Sequence, residues 1–251
     1  MSSDAVTRVI VVVPVHDEEE LLDACLSALE VAVARAERTG IACEVRVVLD
    51  DCADASALVA RRHPFTVSTI SASRVGAARA HGASAALAEL GGADPPTVDP
   101  PALDLHRVWI ANTDADSRVP PSWIVAHARL AAFGADVVLG AVRPDFADLT
   151  PVHRRHWLRT HPRGVPTGNV HGANLGIRAD AYLAAGGFAA VAEHEDVGLV
   201  ERARRAGARV QASASPEVVT SGRQVGRTPG GYAGFIRALA AELNRRSVDV
   251  E

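Results

Sequence analysis

Long apolar runs are absent from this 251-residue chain. The N-terminal run from Val9 to Val13 meets Pro14 and then a group of acidic residues, and no other stretch approaches the roughly 20 apolar residues of a membrane-spanning helix. The run is also too short for the apolar core of a signal peptide. We therefore expect no transmembrane segment, while peripheral contact with a membrane remains compatible with the sequence.

Cysteine is scarce as well. The three cysteines, Cys25, Cys43 and Cys52, are odd in number and show no Cys-x-x-Cys spacing. This pattern argues against a disulfide framework and against a structural zinc site. It predicts a protein of the reducing cytoplasm.

A positive net charge is missing too. The 26 Lys and Arg residues are outnumbered by 30 Asp and Glu residues, which gives a formal net charge of −4. We expect no nucleic-acid partner, because no global field attracts one, and any bound phosphate must be held by local groups. The content of 48% hydrophobic residues is typical of a soluble globular protein. The length fits one large α/β domain or two small ones.

The chain alternates between buried-strand and helix patterns. The β-branched run from Arg8 to Val15 is typical of a strand buried on both faces of a parallel sheet. Helical spacing of apolar residues follows it, and two more such pairs come next. The predicted strands are 8–15, 44–49 and 65–70, and the predicted helices are 18–37, 56–62 and 75–90. This order predicts an α/β fold with a mainly parallel, doubly wound (Rossmann-like) sheet that binds ligands at the carboxyl ends of its strands.

The second half of the chain continues this pattern after a break. Residues 91–101 are rich in Pro and Gly and predict a surface insertion, because strands 108–111 and 137–139 then resume the sheet. We therefore expect a single domain. The polar residues 145–170 have no clear period and predict a mobile segment over the site. A last helix is predicted to begin near Pro229.

Acidic residues gather where the predicted strands end. Each alone is explained as a turn or cap residue, but three sets at one sheet edge favour a bound cation that relieves their repulsion. Asp114 and Asp116 form an Asp-x-Asp pattern whose side chains point the same way. Their oxygen ligands suit a divalent metal, Mg²⁺ or Mn²⁺. The other two sets are Asp17 with Glu18 and Asp50 with Asp51.

Seven short motifs follow one another along the chain: Pro14–Glu18, Val47–Asp54, Gly76–Arg79, Thr113–Asp116, Gly172–Leu175, Gly186–Phe188 and Glu195–Asp196. In number and order they resemble the motifs of the inverting family 2 glycosyltransferases with a GT-A fold, and the resemblance runs from about Val9 to Val210. One feature of that family, a histidine near the C-terminal end that serves as a metal ligand, is not evident around Val219–Ser221.

The resemblance implies a role for each matching residue. Asp116 binds the metal, with Asp114 beside it on ribose or sugar, and Asp196 is the general base for the acceptor hydroxyl. The donor-binding residues are Pro14, His16 and Glu18 around base and ribose, Asp50 on the base, and Arg79 near the phosphates. The implied division of the single domain is a nucleotide-binding half at about 8–118, an acceptor-binding half at about 119–215, and a C-terminal loop and helix at 216–251.

Several candidates carry a second interpretation. Glu195 is either a substrate-binding residue or, equally well, a helix-start residue, whereas for Asp196 the catalytic role is favoured. Arg223 is either a clamp on the diphosphate or part of a solvated basic turn. The glycine-rich residues 168–174 let the backbone approach a sugar, and His171 contacts the acceptor or is structural. Residues 154–157 are better explained as a solvated helix face than as an acceptor contact.

The predicted reaction is transfer of a sugar from a nucleotide-sugar donor (a UDP-, GDP- or dTDP-sugar) to an acceptor hydroxyl, with inversion. A nucleotidyltransferase is the alternative enzyme, but it normally opens with a Gly-rich basic loop, where this chain has His16–Glu20. A protein that holds a nucleotide sugar without turnover is the alternative outside catalysis. The sequence does not name the sugar, the nucleotide or the acceptor.

Overall fold

A computed structural model describes residues 5–91, 104–223, 226, 234, 236 and 237 of the chain. The strands are β1 Arg8–Val15, β2 Ala42–Asp50, β3 Thr66–Ile70, β4 Val108–Asn112, β5 Ser117–Arg118, β6 Val137–Pro144, β7 Leu175–Arg178 and β8 Val210–Thr220. The helices are α1 Leu22–Glu37, α2 Ser56–Ala60, α3 Val75–Gly91, α4 Trp123–Ala132, α5 Pro151–Thr160, α6 Ala179–Ala184 and α7 Glu195–Arg205.

The strands form one eight-stranded sheet in the order β3-β2-β1-β4-β7-β6-β8-β5. Strands β1 to β4 run parallel, and β6 runs parallel to β8. β7 is antiparallel to both of its neighbours, β4 and β6, and β5 is antiparallel to β8. The carboxyl ends of β1, β2 and β4 therefore lie side by side at one edge of the sheet.

Each face of the sheet has its own apolar core, which explains why β1 shows no polar alternation. Val9, Val11 and Val13 belong to the core that α1, α2 and α4 cover. Ile10 and Val12 belong to the opposite core, with residues of α3, α6 and α7. A strand covered on both faces must be apolar throughout. The predicted doubly wound α/β fold is confirmed.

The elements that the sequence pattern did not predict are the short or polar ones. β7 has only four residues, and one of them is Gly176. β8 contains Pro216 and a run of small polar residues, so it lacks the apolar run of the other strands. It continues to Thr220, and the predicted boundary at residue 215 therefore falls inside a strand.

The segment 145–170 contains a helix, contrary to the absence of a period in its sequence. Thr150 caps α5 by accepting a hydrogen bond from the backbone N–H of His153 at 3.3 Å, and Pro151 occupies the first turn. Only His153 and Trp157, one helical turn apart, are buried. Two inward side chains on a basic helix give too weak a period to be recognised from sequence.

The structure leaves two predicted features largely outside its described residues. These are the insertion at 91–101, of which only Gly91 is described, as the last residue of α3, and the helix near Pro229. The first helix begins at Leu22, four residues later than predicted, because residues 16–21 form a turn. Within the described part of the chain, no helix combines the length and the apolar character needed to cross a bilayer.

Candidate functional site

A cavity of about 610 Å³ opens at the carboxyl ends of β1, β2 and β4. Every site residue predicted from the sequence lines it, although these residues come from six separate parts of the chain. They are Pro14, His16, Glu18, Asp50, Arg79, Asp114, Asp116, Glu195, Asp196 and Arg223. The fold thus brings together groups up to 209 positions apart in sequence, from Pro14 to Arg223.

The Asp-x-Asp pair lies on the turn after β4. One oxygen of Asp116 accepts hydrogen bonds from Thr220 Oγ1 at 3.1 Å and from Ser117 Oγ at 3.2 Å, and its other oxygen lies 3.1 Å from Arg223 Nη2. Burial, followed by the charge of Asp114, raises the pKa of Asp116 to about 6, while Arg223 opposes the rise. An excess of negative charge is therefore concentrated around Asp116.

Arg223, in the loop after β8, forms ion pairs with residues from the first half of the chain. Its guanidinium donates to both carboxylate oxygens of the buried Glu18, through Nη1 at 2.8 Å and through Nη2, and it also pairs with Asp116. Asp148 holds the loop in place by accepting a hydrogen bond from the backbone N–H of Gly222 at 2.7 Å. With 27% of its side chain exposed, Arg223 is an ion-paired wall of the cavity and not part of a solvated turn.

Arg79 is a buried cation at the centre of the site. It extends from α3 and donates through Nε to Glu195 Oε1 at 3.0 Å and through Nη2 to Asp114. Gly172 packs directly against the Arg79 guanidinium. A Cβ atom at position 172 would lie 2.3 Å from Arg79 Nη2, so a larger residue does not fit there without a shift of Arg79. The predicted contact of Arg79 with donor phosphates stays a prediction. In the structure, Arg79 holds the carboxylates of Asp114 and Glu195 in position.

The two acidic residues at the start of α7 differ in environment. Glu195 is buried against Arg79, and burial raises its pKa while the Arg79 charge opposes the rise. Asp196 is only half-buried and lines the cavity, and one of its oxygens accepts a hydrogen bond from the backbone N–H of Val197 at 2.7 Å. Glu195 is thus tied into the ion-pair network, while Asp196 is presented to the cavity.

Asp50 has a second role beside the predicted contact with the base. Its carboxylate accepts hydrogen bonds from the backbone N–H groups of Ala72, Ser73 and Arg74, at 2.7, 2.9 and 2.8 Å. The backbone carbonyl of Asp50 also lies 2.6 Å from His16 Nδ1. Because a carboxylate offers about four acceptor positions, one remains for a base, and the other three shape the turn that borders the cavity.

Backbone strain is concentrated around the same cavity. In the described part of the chain, four residues other than glycine have positive φ angles, between 48° and 60°. Non-glycine residues rarely adopt this conformation, which costs about 1 kcal/mol or more. Each of the four is next to a predicted site residue or hydrogen-bonded to one: Asp17, Asp51, Ser73 and His194.

The chemistry of the oxygen ligands fits a divalent metal at Asp114 and Asp116. Three carboxylates face the cavity there, those of Glu18, Asp114 and Asp116, and after burial the charge of Asp114 is the next cause that raises the pKa of Asp116. A hard cation relieves such repulsion and prefers oxygen ligands. Arg79 and Arg223 supply the compensating charge within the chain itself.

A second acidic group lies outside the cavity. Asp17, Cys52 and Asp54 place ligand atoms within 4.8 Å of one another. Asp17 Oδ1 already accepts hydrogen bonds from the backbone N–H groups of Ala53 and Asp54, and burial raises the pKa of the Cys52 thiol. The carboxylates of Asp17 and Asp54 accept hydrogen bonds from backbone N–H groups of the adjacent turns. None of the three residues lines the cavity.

Trp157 on α5 and Thr220 on β8 also line the cavity and were not predicted from the sequence as site residues. Trp157, assigned from the sequence to a solvated helix face, is instead buried and lines the cavity, because α5 turns this side chain inward. Its ring stacks on His161 with centroids 3.7 Å apart. Thr220, whose hydroxyl contacts Asp116, lies near the position where a histidine ligand was sought. A small hydroxyl residue gives no sequence signal of such a contact.

The family model for glycosyl transferase family 2 matches residues 10–183, which span β1 to α6 and include the Asp-x-Asp turn. The chain belongs to glycosyl transferase family 2. The glycosyltransferase predicted from the order of the motifs is thereby confirmed at the level of the family. No curated protein matches this family member by sequence.

Solved glycosyltransferases share the GT-A fold of this family 2 chain. Staphylococcus aureus TarS 1–349 in complex with UDP-GlcNAc is similar over 90% of this chain and 61% of its own, with 14% identity and a TM-score of 0.64. The mannosyltransferase PcManGT from Pyrobaculum calidifontis, in complex with GDP-Man and Mn²⁺, is similar over 88% of this chain and 58% of its own, with 21% identity and a TM-score of 0.59. This chain therefore spans less than two thirds of either structure.

A third similar structure comes from Mycobacterium tuberculosis. Glucosyl-3-phosphoglycerate synthase in complex with Mn²⁺ and UDP-glucose is similar over 85% of this chain and 70% of its own, with 14% identity and a TM-score of 0.50. At these identities the likeness concerns the fold.

Proposed function

We propose that this chain transfers a sugar from a nucleoside-diphosphate donor to an acceptor hydroxyl with inversion, with Asp196 as general base and a divalent metal at Asp114 and Asp116. One observation carries the proposal. The Asp-x-Asp turn after β4 and the acidic start of α7 open into the same cavity and are connected through a single buried side chain, Arg79. A donor-binding group and a base therefore face one reaction space.

The proposed chemistry assigns the proton to Asp196. The acceptor oxygen attacks the anomeric carbon from the face opposite the leaving group, the bond from that carbon to the diphosphate oxygen breaks, and the hydroxyl proton passes to Asp196. A half-buried carboxylate at the cavity wall is a suitable base for this step. Attack from the opposite face inverts the configuration at the anomeric carbon.

The leaving diphosphate needs positive charge. A divalent ion held by Asp114 and Asp116, when bound, supplies this charge and neutralises the diphosphate. Arg223 lies beside Asp116 and adds a guanidinium whose planar donors suit phosphate oxygens. Arg79 keeps Asp114 oriented and Glu195 neutralised, so that α7 presents Asp196 at a fixed position.

The similar structures support a nucleotide-sugar donor. Two of them hold UDP-sugars and one holds GDP-mannose, and two of the three also hold Mn²⁺. A screen of UDP-, GDP- and dTDP-sugars by thermal shift with Mn²⁺ would identify the donor, because a ligand that binds the native state raises its melting temperature. The acceptor is then sought with that donor in hand.

Replacement of Asp196 by Asn is the decisive test. Asn keeps the size of Asp and can accept the same hydrogen bond from the backbone N–H of Val197, but it is not basic, so kcat should fall by about 10²- to 10⁴-fold, the usual contribution of a general base. Donor affinity, measured by calorimetry, should stay within about twofold, because the proposed donor contacts are made by other residues, Asp50, Asp114 and Asp116 among them. If Asp196 only starts a helix, Asn replaces it without loss of rate.

The matched control is Glu201→Gln, which removes a carboxylate from the exposed side of the same helix, where it pairs with Arg205. It should leave kcat unchanged. An Asp196→Asn enzyme within threefold of wild-type kcat would refute the base assignment. Donor binding by the wild type with neither transfer nor slow donor hydrolysis would instead favour a binding protein without turnover.

A further inference from the structure

The segment from residue 149 to residue 179 contains no acidic residue. In these 31 positions there are five arginines and four histidines, while the whole chain has a net charge of −4. The positive charge is therefore local, and the chain as a whole does not share it. The segment covers α5 and the following residues up to β7, which form one wall of the cavity.

Helix α5 turns this charge away from the protein. Arg155 and Arg159 are one turn apart and exposed, and neither they nor Arg154 forms an ion pair with any residue that the structure describes. Arg154 lies over the ring of Phe146, with its guanidinium carbon 5.3 Å from the ring centre. The opposite side of the helix carries the buried His153 and Trp157.

Apolar side chains lie among these arginines. Val152 is 51% exposed and Leu158 is 42% exposed, and their spacing of three residues from Arg155 on either side places all three on one face. The next loop adds Val165, which is 55% exposed. Half of the helix therefore presents large apolar groups and unpaired cations together to solvent.

This face borders the cavity mouth. Trp157, on the inner side of α5, lines the cavity, and so do His161, Arg163 and Val165 from the loop that follows the helix. Residues 162–169 are all exposed. Whatever binds the outer face of α5 therefore lies next to the cavity.

We infer that the outer face of α5, made up of Val152, Arg154, Arg155, Leu158 and Arg159, docks on an anionic lipid bilayer. A basic helix with apolar side chains among its cations is the pattern that binds the interface of such a membrane, because the cations attract lipid phosphates and the apolar groups enter the acyl boundary. The consequence that the acceptor hydroxyl is carried by a membrane lipid rests on the proposed function. The docking itself does not.

Two other occupants fit the surface less well. A soluble polyanion matches the arginines but leaves Val152 and Leu158 in water, with no favourable contact. A second copy of the same face brings arginine against arginine, which costs energy through like-charge repulsion. A bilayer with anionic lipids satisfies both the charge and the apolar groups.

The test is co-sedimentation of the full chain with phosphatidylcholine vesicles, with and without phosphatidylglycerol. We expect binding only when phosphatidylglycerol is present, weakened by added salt. Arg155→Gln with Arg159→Gln should lower the partition coefficient by roughly tenfold or more, since each basic residue near an anionic surface contributes about fivefold. Val152→Ser with Leu158→Ser should also lower it, by about tenfold.

Helix α1 and the residue that follows it offer matched controls, because Val31 is 53% exposed and Arg35 and the C-cap residue Arg38 are exposed. Val31→Ser and the pair Arg35→Gln with Arg38→Gln should leave vesicle binding unchanged. None of the substituted residues lines the cavity, and melting curves show whether each variant folds. Absence of binding to anionic vesicles, equal loss in the controls, or full binding by the Val152→Ser and Leu158→Ser variant would overturn the inference. The last outcome would indicate a soluble polyanion.

Discussion

At the scale of single residues, charge compensation determines the site. Three carboxylates and two arginines face one another in the cavity. Arg79 forms an ion pair with Asp114, and Arg223 forms ion pairs with Glu18 and Asp116. A buried charge that loses its partner destabilises a protein strongly, by about 3 to 5 kcal/mol. Each arginine therefore contributes to both the fold and the chemistry, and variants must separate the two.

A double-mutant cycle on Arg79 and Glu195 makes this separation. Arg79→Gln should lower the free energy of unfolding by about 3 kcal/mol or more, because it leaves Glu195 buried without a cation. Glu195→Gln, combined with it, should restore at least about 1 kcal/mol, the coupling expected for contacting groups. Urea unfolding measures both values. Strictly additive effects would show that the two residues do not interact in solution.

His127 is a buried residue with a pH-dependent effect on stability. Trp109 Nε1 donates to its Nδ1 at 3.3 Å, and its Nε2 contacts Asn174 Oδ1 at 3.2 Å. Burial lowers the pKa of His127 from 6.5 to about 4, although the bond to Asn174 opposes the change. The unfolded chain takes up a proton in this range and the native chain does not, so His127 contributes stability above pH 6.5 that is lost as the pH falls toward 4.

The expected loss from His127 between pH 6.5 and pH 4 is about 3 kcal/mol. His127→Gln should reduce the difference in unfolding free energy between pH 7 and pH 4.5, even if the variant is less stable at both. The exposed His81→Gln variant is the matched control. Urea titrations at the two pH values measure the difference, and an unchanged pH dependence in His127→Gln would contradict the burial argument.

At the scale of elements, the Asp50 carboxylate connects the end of β2 to the turn before α3. It accepts three backbone hydrogen bonds from residues 72–74. Asp50→Ala should therefore weaken donor binding by roughly 1 to 3 kcal/mol, the cost of unpaired polar groups, whether the loss acts on the base or on the turn. Calorimetry measures the affinity. Equal affinity in wild type and variant would mean that Asp50 has no part in binding.

A second variant distinguishes the two routes. Ser73→Gly removes the side chain and relieves the positive φ angle of 48° at that position but keeps the backbone N–H that bonds to Asp50. It should leave donor affinity nearly unchanged if the carboxylate contacts the base directly. A loss comparable to that of Asp50→Ala would assign the effect to the turn.

Strands with long apolar runs were predicted from the sequence, and elements without a strong apolar pattern were missed. β1, β2 and β4 have uninterrupted buried runs, since apolar layers cover both faces of the sheet, and their positions were predicted to within about two residues. β8 was missed because its first half is only partly buried and contains small polar residues. α5 was missed because only two of its residues point inward. An apolar period is recognisable only when an element buries a wide face, and both β8 and α5 bury narrow faces.

At the scale of the whole molecule, the sequence predicted which residues meet but not how they pair. Parallel topology alone brings the ends of β1, β2 and β4 together, so Glu18, Asp50 and Asp114 were predicted at one edge. The pairing of Arg223 with Glu18 and Asp116 depends on β8, whose position in the sheet has no local signal. The same is true of Arg79, whose partners come from β4 and α7.

The proposed metal gives a prediction for the whole site. Donor and Mn²⁺ together should raise the melting temperature, and excess EDTA should abolish this rise while the melting temperature without donor stays the same, because Arg79 and Arg223 already pair with Asp114 and Asp116. Thermal-shift curves with and without EDTA measure both. Undiminished turnover in excess EDTA would remove the metal from the mechanism.

Arg223 pairs with the carboxylates of Asp116 and Glu18, the groups that lie at the proposed metal site. In the donor-free protein, a metal at Asp116 has to compete with this guanidinium. Arg223→Gln should therefore bind Mn²⁺ alone about fivefold more tightly, which corresponds to about 1 kcal/mol for a partly exposed ion pair. It should also bind the donor diphosphate more weakly, since the same guanidinium suits phosphate oxygens.

Calorimetric titrations of Mn²⁺, with and without nucleoside diphosphate, measure the two opposite changes. The matched control is Arg118→Gln, which breaks a surface pair with Asp145 outside the cavity and should change neither affinity. Weaker binding of Mn²⁺ alone by Arg223→Gln would mean that Arg223 orders the metal ligands and does not compete for them. Opposite shifts in the two affinities are expected only if the C-terminal loop exchanges its carboxylate partners for the diphosphate when the donor binds.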